Sequence, residues 1–263
     1  MNKIKIEGVP ATMLQTVYAR ARESQKSKPK FKDKKAEEIV EQLDYNFSAA
    51  RRDWIMRTGV VARTILFDRL IKAFLVCHPH TTVINIGCGL DTRCVRYQNL
   101  YDHWYNLDLK ETMDIRHQFL SDNKKMHSIV MSCLDEEWVK QVEPNELYVI
   151  VIEGLLMYFN EEEVHTLFRI LDQHFPKMII VAEVMSPLMV AHVKEKSIQQ
   201  SNAKFKWGMT HGEELSNVFP NLEHLKDVSL VEGMKEVSPI YKLLAKSKRI
   251  YDISNKICVY EKE

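Results

Sequence analysis

The sequence is short of the marks that define several function classes. No apolar run approaches the ~20 residues that span a bilayer. The N-terminus, Met1-Asn2-Lys3-Ile4-Lys5, has no apolar stretch of the kind a secretory signal needs. Five cysteines (Cys77, Cys88, Cys94, Cys133 and Cys258) make an odd count without a C-x-x-C pair, which suggests neither a disulfide framework nor a zinc site. Neither sign of charge is in excess: 37 Lys and Arg stand against 36 Asp and Glu, for a net +1. That balance gives no reason to expect a nucleic acid or an anionic membrane as partner. The one basic cluster, Lys26 to Lys35, reads as a solvated loop. There is no Walker loop, no Gly-x-Ser-x-Gly elbow and no His-Glu-x-x-His. The expectation is a cytoplasmic protein with no metal, and no oligomeric state follows from the chain.

What is present suits a full globular core: 263 residues, 45% hydrophobic and 28% charged. To about Pro79 the pattern is helical. Ile39, Val40, Leu43 and Phe47 recur at helical spacing, as do Val60, Val61, Ile65, Leu66, Ile71, Phe74 and Leu75. Strands and helices then alternate. The strand candidates are Thr81 to Ile86, His103 to Leu107, Ser128 to Met131, Leu147 to Ile152 and Met178 to Ala182. Helices are expected over Glu111 to Asn123, Glu136 to Val142 and Glu161 to Phe175, the last capped by Asn160 with three glutamates in its first turn. Such alternation means right-handed βαβ units and a parallel sheet. A helix over Pro187 to Gln200 and one from about Gly212 to Val218 follow. Val228 to Val231 and Ile257 to Tyr260 then close one sheet edge as an antiparallel pair. The fold class is therefore α/β, a doubly wound, mostly parallel seven-stranded sheet.

In an open parallel sheet, ligands bind beyond the carboxyl ends of the strands. The first strand ends in Gly87-Cys88-Gly89, where missing side chains let a ligand approach the backbone. The second ends in Asp108, roughly 20 residues on, at the place of a carboxylate that accepts both ribose hydroxyls. A helix cap is the competing role for that Asp. Glu153 follows the most apolar run in the chain, where a carboxylate is costly unless paired or at a cleft mouth. These features leave a dinucleotide or S-adenosylmethionine as ligand. A dinucleotide fingerprint needs a third glycine where this chain has Thr92, which disfavours an NAD-dependent oxidoreductase.

Val83-Ile84-Asn85-Ile86-Gly87-Cys88-Gly89-Leu90-Asp91-Thr92-Arg93 resembles the hallmark segment of the leucine carboxyl methyltransferase superfamily. Tyr18-Ala19-Arg20-Ala21-Arg22-Glu23-Ser24, Phe31-Lys32-Asp33, Leu43 to Phe47, Ala62-Arg63-Thr64 and Glu153 to Phe159 extend the resemblance over most of the chain. The N-terminal matches favour its bacterial, tetracenomycin polyketide O-methyltransferase-like branch over the protein phosphatase branch. The resemblance implies a class I, Rossmann-like core over 80–263. It also implies a helical segment over 1–79 that supplies cap and sheet-packing helices, and a lid insertion at about 186–222, all in one integrated domain.

The resemblance further implies S-adenosylmethionine as cofactor, with S-adenosylhomocysteine as product. Gly87, Cys88, Gly89, Asp108, Leu109, Cys133, Leu134 and Glu153 would line it. Arg63 would pair with its carboxylate, and Glu153 would face its ammonium. Relatives usually carry Asp-Leu at the third strand end. This chain has Cys133-Leu134, so a backbone carbonyl or Asp135 would take over the adenine contact. The acceptor would be a small molecule, methylated on a hydroxyl or carboxyl oxygen. Tyr18, Tyr158 and Trp207 are candidates for the acceptor pocket, and His211 is the candidate base. The other readings are a protein C-terminal carboxyl methyltransferase, a non-catalytic S-adenosylmethionine-binding protein and the oxidoreductase.

Overall fold

The structure, a computed structural model, describes residues 11–192, 204–245 and 247–263. Its helices in the N-terminal part are α1 (Ala11–Ser24), α2 (Lys34–Gln42), α3 (Ser48–Arg52) and α4 (Trp54–Cys77). The strands are β1 (Thr82–Ile86), β2 (His103–Asp108), β3 (Met126–Val130), β4 (Tyr148–Ile152), β5 (Met178–Val184), β6 (Glu223–Ser229) and β7 (Lys256–Lys262). Between them lie α5 (Arg93–Arg96), α6 (Lys110–Arg116), α7 (Glu161–His174), α8 (Pro187–His192), α9 (Glu213–Val218) and α10 (Leu230–Val237).

All seven strands form one sheet in the order β3-β2-β1-β4-β5-β7-β6. β1 to β5 pair in parallel, and β7 runs antiparallel between β5 and β6. The order reverses between β1 and β4, which opens a crevice at their carboxyl ends. β4 is buried on both sides because its side chains alternate between two layers. Tyr148, Ile150 and Ile152 meet Val164, Leu167, Phe168 and Leu171 of α7 in one core. Val149 and Val151 join Leu66, Phe67, Ile71 and Leu75 of α4 in the other. Asn160 and Glu163 close a reciprocal capping box on α7, a device of about 1 kcal/mol. A third cluster joins Leu14, Val17, Ile39 and Leu43 of α1 and α2 to Leu90, Ile115 and Phe119, so the N-terminal helices cover the turn after β1.

Several expected boundaries move. The helix expected over Glu111 to Asn123 is α6, which ends at Arg116, and Glu136–Gln141 is a 3₁₀ turn. The strand expected at Val228 to Val231 ends at Ser229, and α10 begins at Leu230. Packing decides that point. Gly233 of α10 lies so close to α4 that an added Cβ would come within 2.5 Å of the Ala62 carbonyl oxygen. Two short helices, Pro239–Leu244 and Lys248–Ile253, follow where no helix was read. Of the helix expected over Pro187 to Gln200, Pro187–His192 is helical, and 193–200 lie outside the described residues. Among the described residues, no helix is long and apolar enough to cross a membrane. Nor, among them, do three or more His, Cys, Asp or Glu side chains gather as a metal site.

Candidate active site

The loop after β1 turns on two glycines with positive φ, Gly87 at +66° and Gly89 at +49°. Glycine adopts that region without the strain a Cβ brings. At Gly87 a Cβ would also press on Leu155, 3.1 Å away. Asp108, at the end of β2, fixes the loop. Its two carboxylate oxygens accept the N–H groups of Gly89 and Leu109, each at 2.8 Å. Burial raises the Asp108 pKa above the ordinary value, against the pull of those bonds.

Behind the loop lies a buried charge cluster. Arg93, 2% exposed, reaches Asp68 at 2.7 Å, Asp91 at 2.9 Å and Glu153 at 2.7 Å. Arg96 pairs with Asp68 at 2.5 Å. Arg63, from α4, lies 2.8 Å from Glu153 and 2.8 Å from Glu183 at the end of β5. Burial pushes the carboxyls of Asp68, Asp91 and Glu153 up, and the facing arginines more than reverse it, so all three are held below the ordinary range. Burial likewise opposes the charge on Arg63, and Glu183 and Glu153 outweigh it. Asp68, Asp91, Arg93 and Glu183 have no role among the sequence expectations. Glu183 carried the same signal as Glu153, a carboxylate at the end of an apolar strand. Arg93 closes the Gly-Cys-Gly-Leu-Asp-Thr-Arg segment.

The structure gathers Gly87, Gly89, Asp108, Glu153 and Arg63 at the ends of β1, β2 and β4 and on α4. Glu153 is already engaged there, with Oε1 on Arg63 and Oε2 on Arg93. Leu109 is 53% exposed beside Asp108. The Cys88 thiol turns inward to Met113, at 3.7 Å, and leaves only its backbone to the loop. Cys133 is buried, its thiol pushed up to about 12 by burial, and its carbonyl accepts the Trp138 indole N–H. Leu134 is half-buried, and Asp135 caps the 3₁₀ turn through Glu137 N–H. Tyr18 is buried and stacks on Phe47. Tyr158 is half-buried, its ring 5.5 Å from Phe205. Trp207 packs on the α7-side core, in a segment anchored by Lys206 N–H on the Met157 carbonyl. His211 is not brought to this cluster: it is exposed over β6, 3.9 Å from Asp227.

The donor set fits a nucleoside that carries an amino acid better than a dinucleotide. Among the described residues, a Cβ at Gly89 would touch only the Met13 side chain of α1, at 3.6 Å, so the loop offers bare backbone beneath α1. Asp108 suits a ribose diol, Leu109 a base, and the Arg63 guanidinium a carboxylate. A pyrophosphate would need free N–H groups at the next helix start. Here Asp91 itself accepts the Arg93 N–H at 2.9 Å, and Thr92 is fully buried with its hydroxyl on Asp33.

Residues 13–172 match the family model for leucine carboxyl methyltransferase. The chain is 26% identical over 244 residues to the tetracenomycin polyketide synthesis O-methyltransferase TcmP of Streptomyces glaucescens, covering 91% of this chain and 90% of that one. It is also 26% identical over 245 residues to the S-adenosyl-L-methionine-dependent methyltransferase dpfgK of Gibberella zeae, covering 84% and 82%. Among solved structures, a DUF574 family protein from Streptomyces avermitilis shares the fold at a TM-score of 0.55 and 14% identity, over 94% of this chain and 97% of that one. Magnesium protoporphyrin IX methyltransferase from Synechocystis, with bound S-adenosylhomocysteine, shares it at 0.51 and 11% identity, over 80% and 88%. With these likenesses joined to a glycine loop, a strand-end carboxylate and the β1/β4 crevice, the chain belongs to the leucine carboxyl methyltransferase family and is an S-adenosylmethionine-dependent methyltransferase.

Proposed function

We propose that this enzyme methylates an oxygen of a small molecule, with the acceptor bound beside the ends of β4 and β5. The observation that carries the reading is the convergence, at one end of one sheet, of Asp108, the bare Gly87–Gly89 backbone and the Arg63 guanidinium. Its likeness to TcmP over nine-tenths of both chains supports oxygen as the acceptor atom. Bound S-adenosylmethionine supplies a methyl group activated by its sulfonium. The chain's own task is to hold and orient. Asp108 accepts the ribose hydroxyls, Gly87, Cys88 and Gly89 give their backbone to the methionine part, and Leu109 and Leu134 flank the adenine. Arg63 takes the carboxylate. Glu153 acts through Arg63 and Arg93 rather than as a free partner for the ammonium. Tyr158 and Trp207 lie on the acceptor side, and Tyr18 backs the pocket through Phe47. A carboxylate acceptor needs no base at neutral pH, whereas a hydroxyl needs a proton acceptor. His211 lies over β6, away from this cluster, so the reading assigns it no proton.

Calorimetric titration with S-adenosylmethionine, S-adenosylhomocysteine and NAD tests the reading. Both sulfur ligands bind and NAD does not. Asp108→Ala weakens them about 100-fold, as the loss of charge-assisted bonds predicts. Preference for NAD, or unchanged binding by that variant, would overturn the site.

A further inference from the structure

Glu183 stands apart from the other carboxylates of the cluster. It is 2% exposed at the end of β5, and its neighbours converge on it from three directions. Its Oε2 accepts an Arg63 Nη1 bond at 2.8 Å and the Gly154 N–H at 2.9 Å. Its Oε1 faces the Asn255 amide at 3.4 Å, in the segment that leads into β7. Gly154 turns there with φ +70°, and an added Cβ would lie 3.3 Å from Arg63 Nη1, so glycine lets the guanidinium lie against this turn. Glu153 lies as close to Arg63, but the Arg63 Nε has no aligned hydrogen bond. Among the described residues, Glu183 thus holds the guanidinium by its Nη1 end, Glu153 pairs with it at Nε, and Nη2 makes no hydrogen bond.

We infer that Glu183 is the positioning residue for Arg63: it fixes the guanidinium and the Gly154 turn through one oxygen, so that Nη2 faces the carboxylate of an amino-acid-bearing ligand. The inference rests on the role proposed for Arg63. It assigns Glu183 no contact with the ligand. A guanidinium on an alkyl stem loses rotamer freedom when it binds, and a fixed one has already lost it. Glu183 therefore contributes only to ligands that have the carboxylate.

That selectivity separates positioning from a merely structural role. The experiment compares the binding of S-adenosylhomocysteine with that of 5′-methylthioadenosine, a thioether nucleoside without the amino-acid carboxylate and ammonium. Glu183→Ala weakens the first about tenfold and the second by less than about twofold. In an Arg63→Ala background it adds nothing further to the loss for S-adenosylhomocysteine, because the two residues act as one unit. Glu183→Gln keeps an oxygen for both bonds, and Asn255 can present its own oxygen to the new amide. That variant loses about threefold, with the same selectivity, and carries the comparison if the alanine variant does not fold. Equal losses for both ligands, a loss that persists without Arg63, or no loss at all would overturn the inference. If the wild-type chain bound no S-adenosylhomocysteine, the proposed function would fail first and take this inference with it. If wild type binds and the variants show no selectivity, the inference alone fails.

Discussion

The two ends of the parallel strands are built from different chemistry. At the carboxyl ends, the positive-φ glycines (Gly87, Gly89 and Gly154) turn the chain, and ionised pairs lie buried behind them. At the amino ends, an ion pair, Lys262–Asp172 at 2.9 Å, stands beside neutral hydrogen bonds. Asn145 donates to the Thr82 hydroxyl at 2.8 Å, Tyr105 accepts the Glu143 N–H at 3.1 Å, and His103 shares a 3.0 Å contact with His127. An open groove of about 540 Å³ there is lined by Asp102, His103, Lys124, Lys125 and Glu143, and it meets none of the site residues. Neutral hydrogen bonds are enough to close strand ends. Buried ions cost more and gain little stability over an apolar core. Their concentration at one end marks where the protein keeps fixed charge for a ligand.

The contrast between the two ends fails first if Arg93 is dispensable. Arg93→Met leaves Asp68, Asp91 and Glu153 without their shared cation, and should cost about 3–5 kcal/mol in urea unfolding. A loss below about 1 kcal/mol would mean the cluster is solvated and the contrast unreal.

Acid separates the two ends. Asp68, Asp91 and Glu153 sit below their ordinary values of 3.8, 3.8 and 4.5. Their stabilisation is complete above those values. It is lost as the pH falls below about 4.5, because the unfolded chain then binds more protons than the folded one. Asp108, raised by burial, works in the opposite sense, one group against three. At the other end, burial and His103 lower the His127 pKa below 6.5. A shallow decline there should begin as the pH falls through about 6.5, before the steep one. Unfolding measured from pH 7 to 3 should show both limbs, and His127→Ala should remove only the first.

Smaller effects follow. Asn145→Ala removes one neutral hydrogen bond and should cost about 1 kcal/mol, with S-adenosylhomocysteine affinity unchanged. A change in affinity would show the two ends to be coupled. His211→Ala should stay within about 0.5 kcal/mol in stability and leave kcat unaltered. A large fall in kcat would return that histidine to the chemistry.

Much of the first end could be read from residue order. Gly87, Gly89, Asp108 and Glu153 stand at strand ends because apolar β-branched runs stop where they begin, and that pattern is local. Arg63 came from resemblance alone, since a lone arginine on a helix carries no signal of its own. Glu183 is legible by the same rule as Glu153, but nothing nearby in the chain accompanies it. Its partners Arg63 and Asn255 lie 120 and 72 residues away. His211 is a candidate by its chemistry alone, and the antiparallel β7 sets it on the far edge, beside Asp227 of β6. The strand read at Val228 to Val231 gave way to α10 because helix packing on Ala62 outweighs a local apolar run.

Residue order alone sets the alternation of elements, the burial of β4 on both faces and the loop that needs glycine. Each follows from side-chain period and backbone sterics within a few residues. Which ions share a partner depends on the assembled fold. A buried charge is stable only where an opposite one arrives, and here the opposite charges come from α4, α5, β4 and β5, brought together only when the sheet closes.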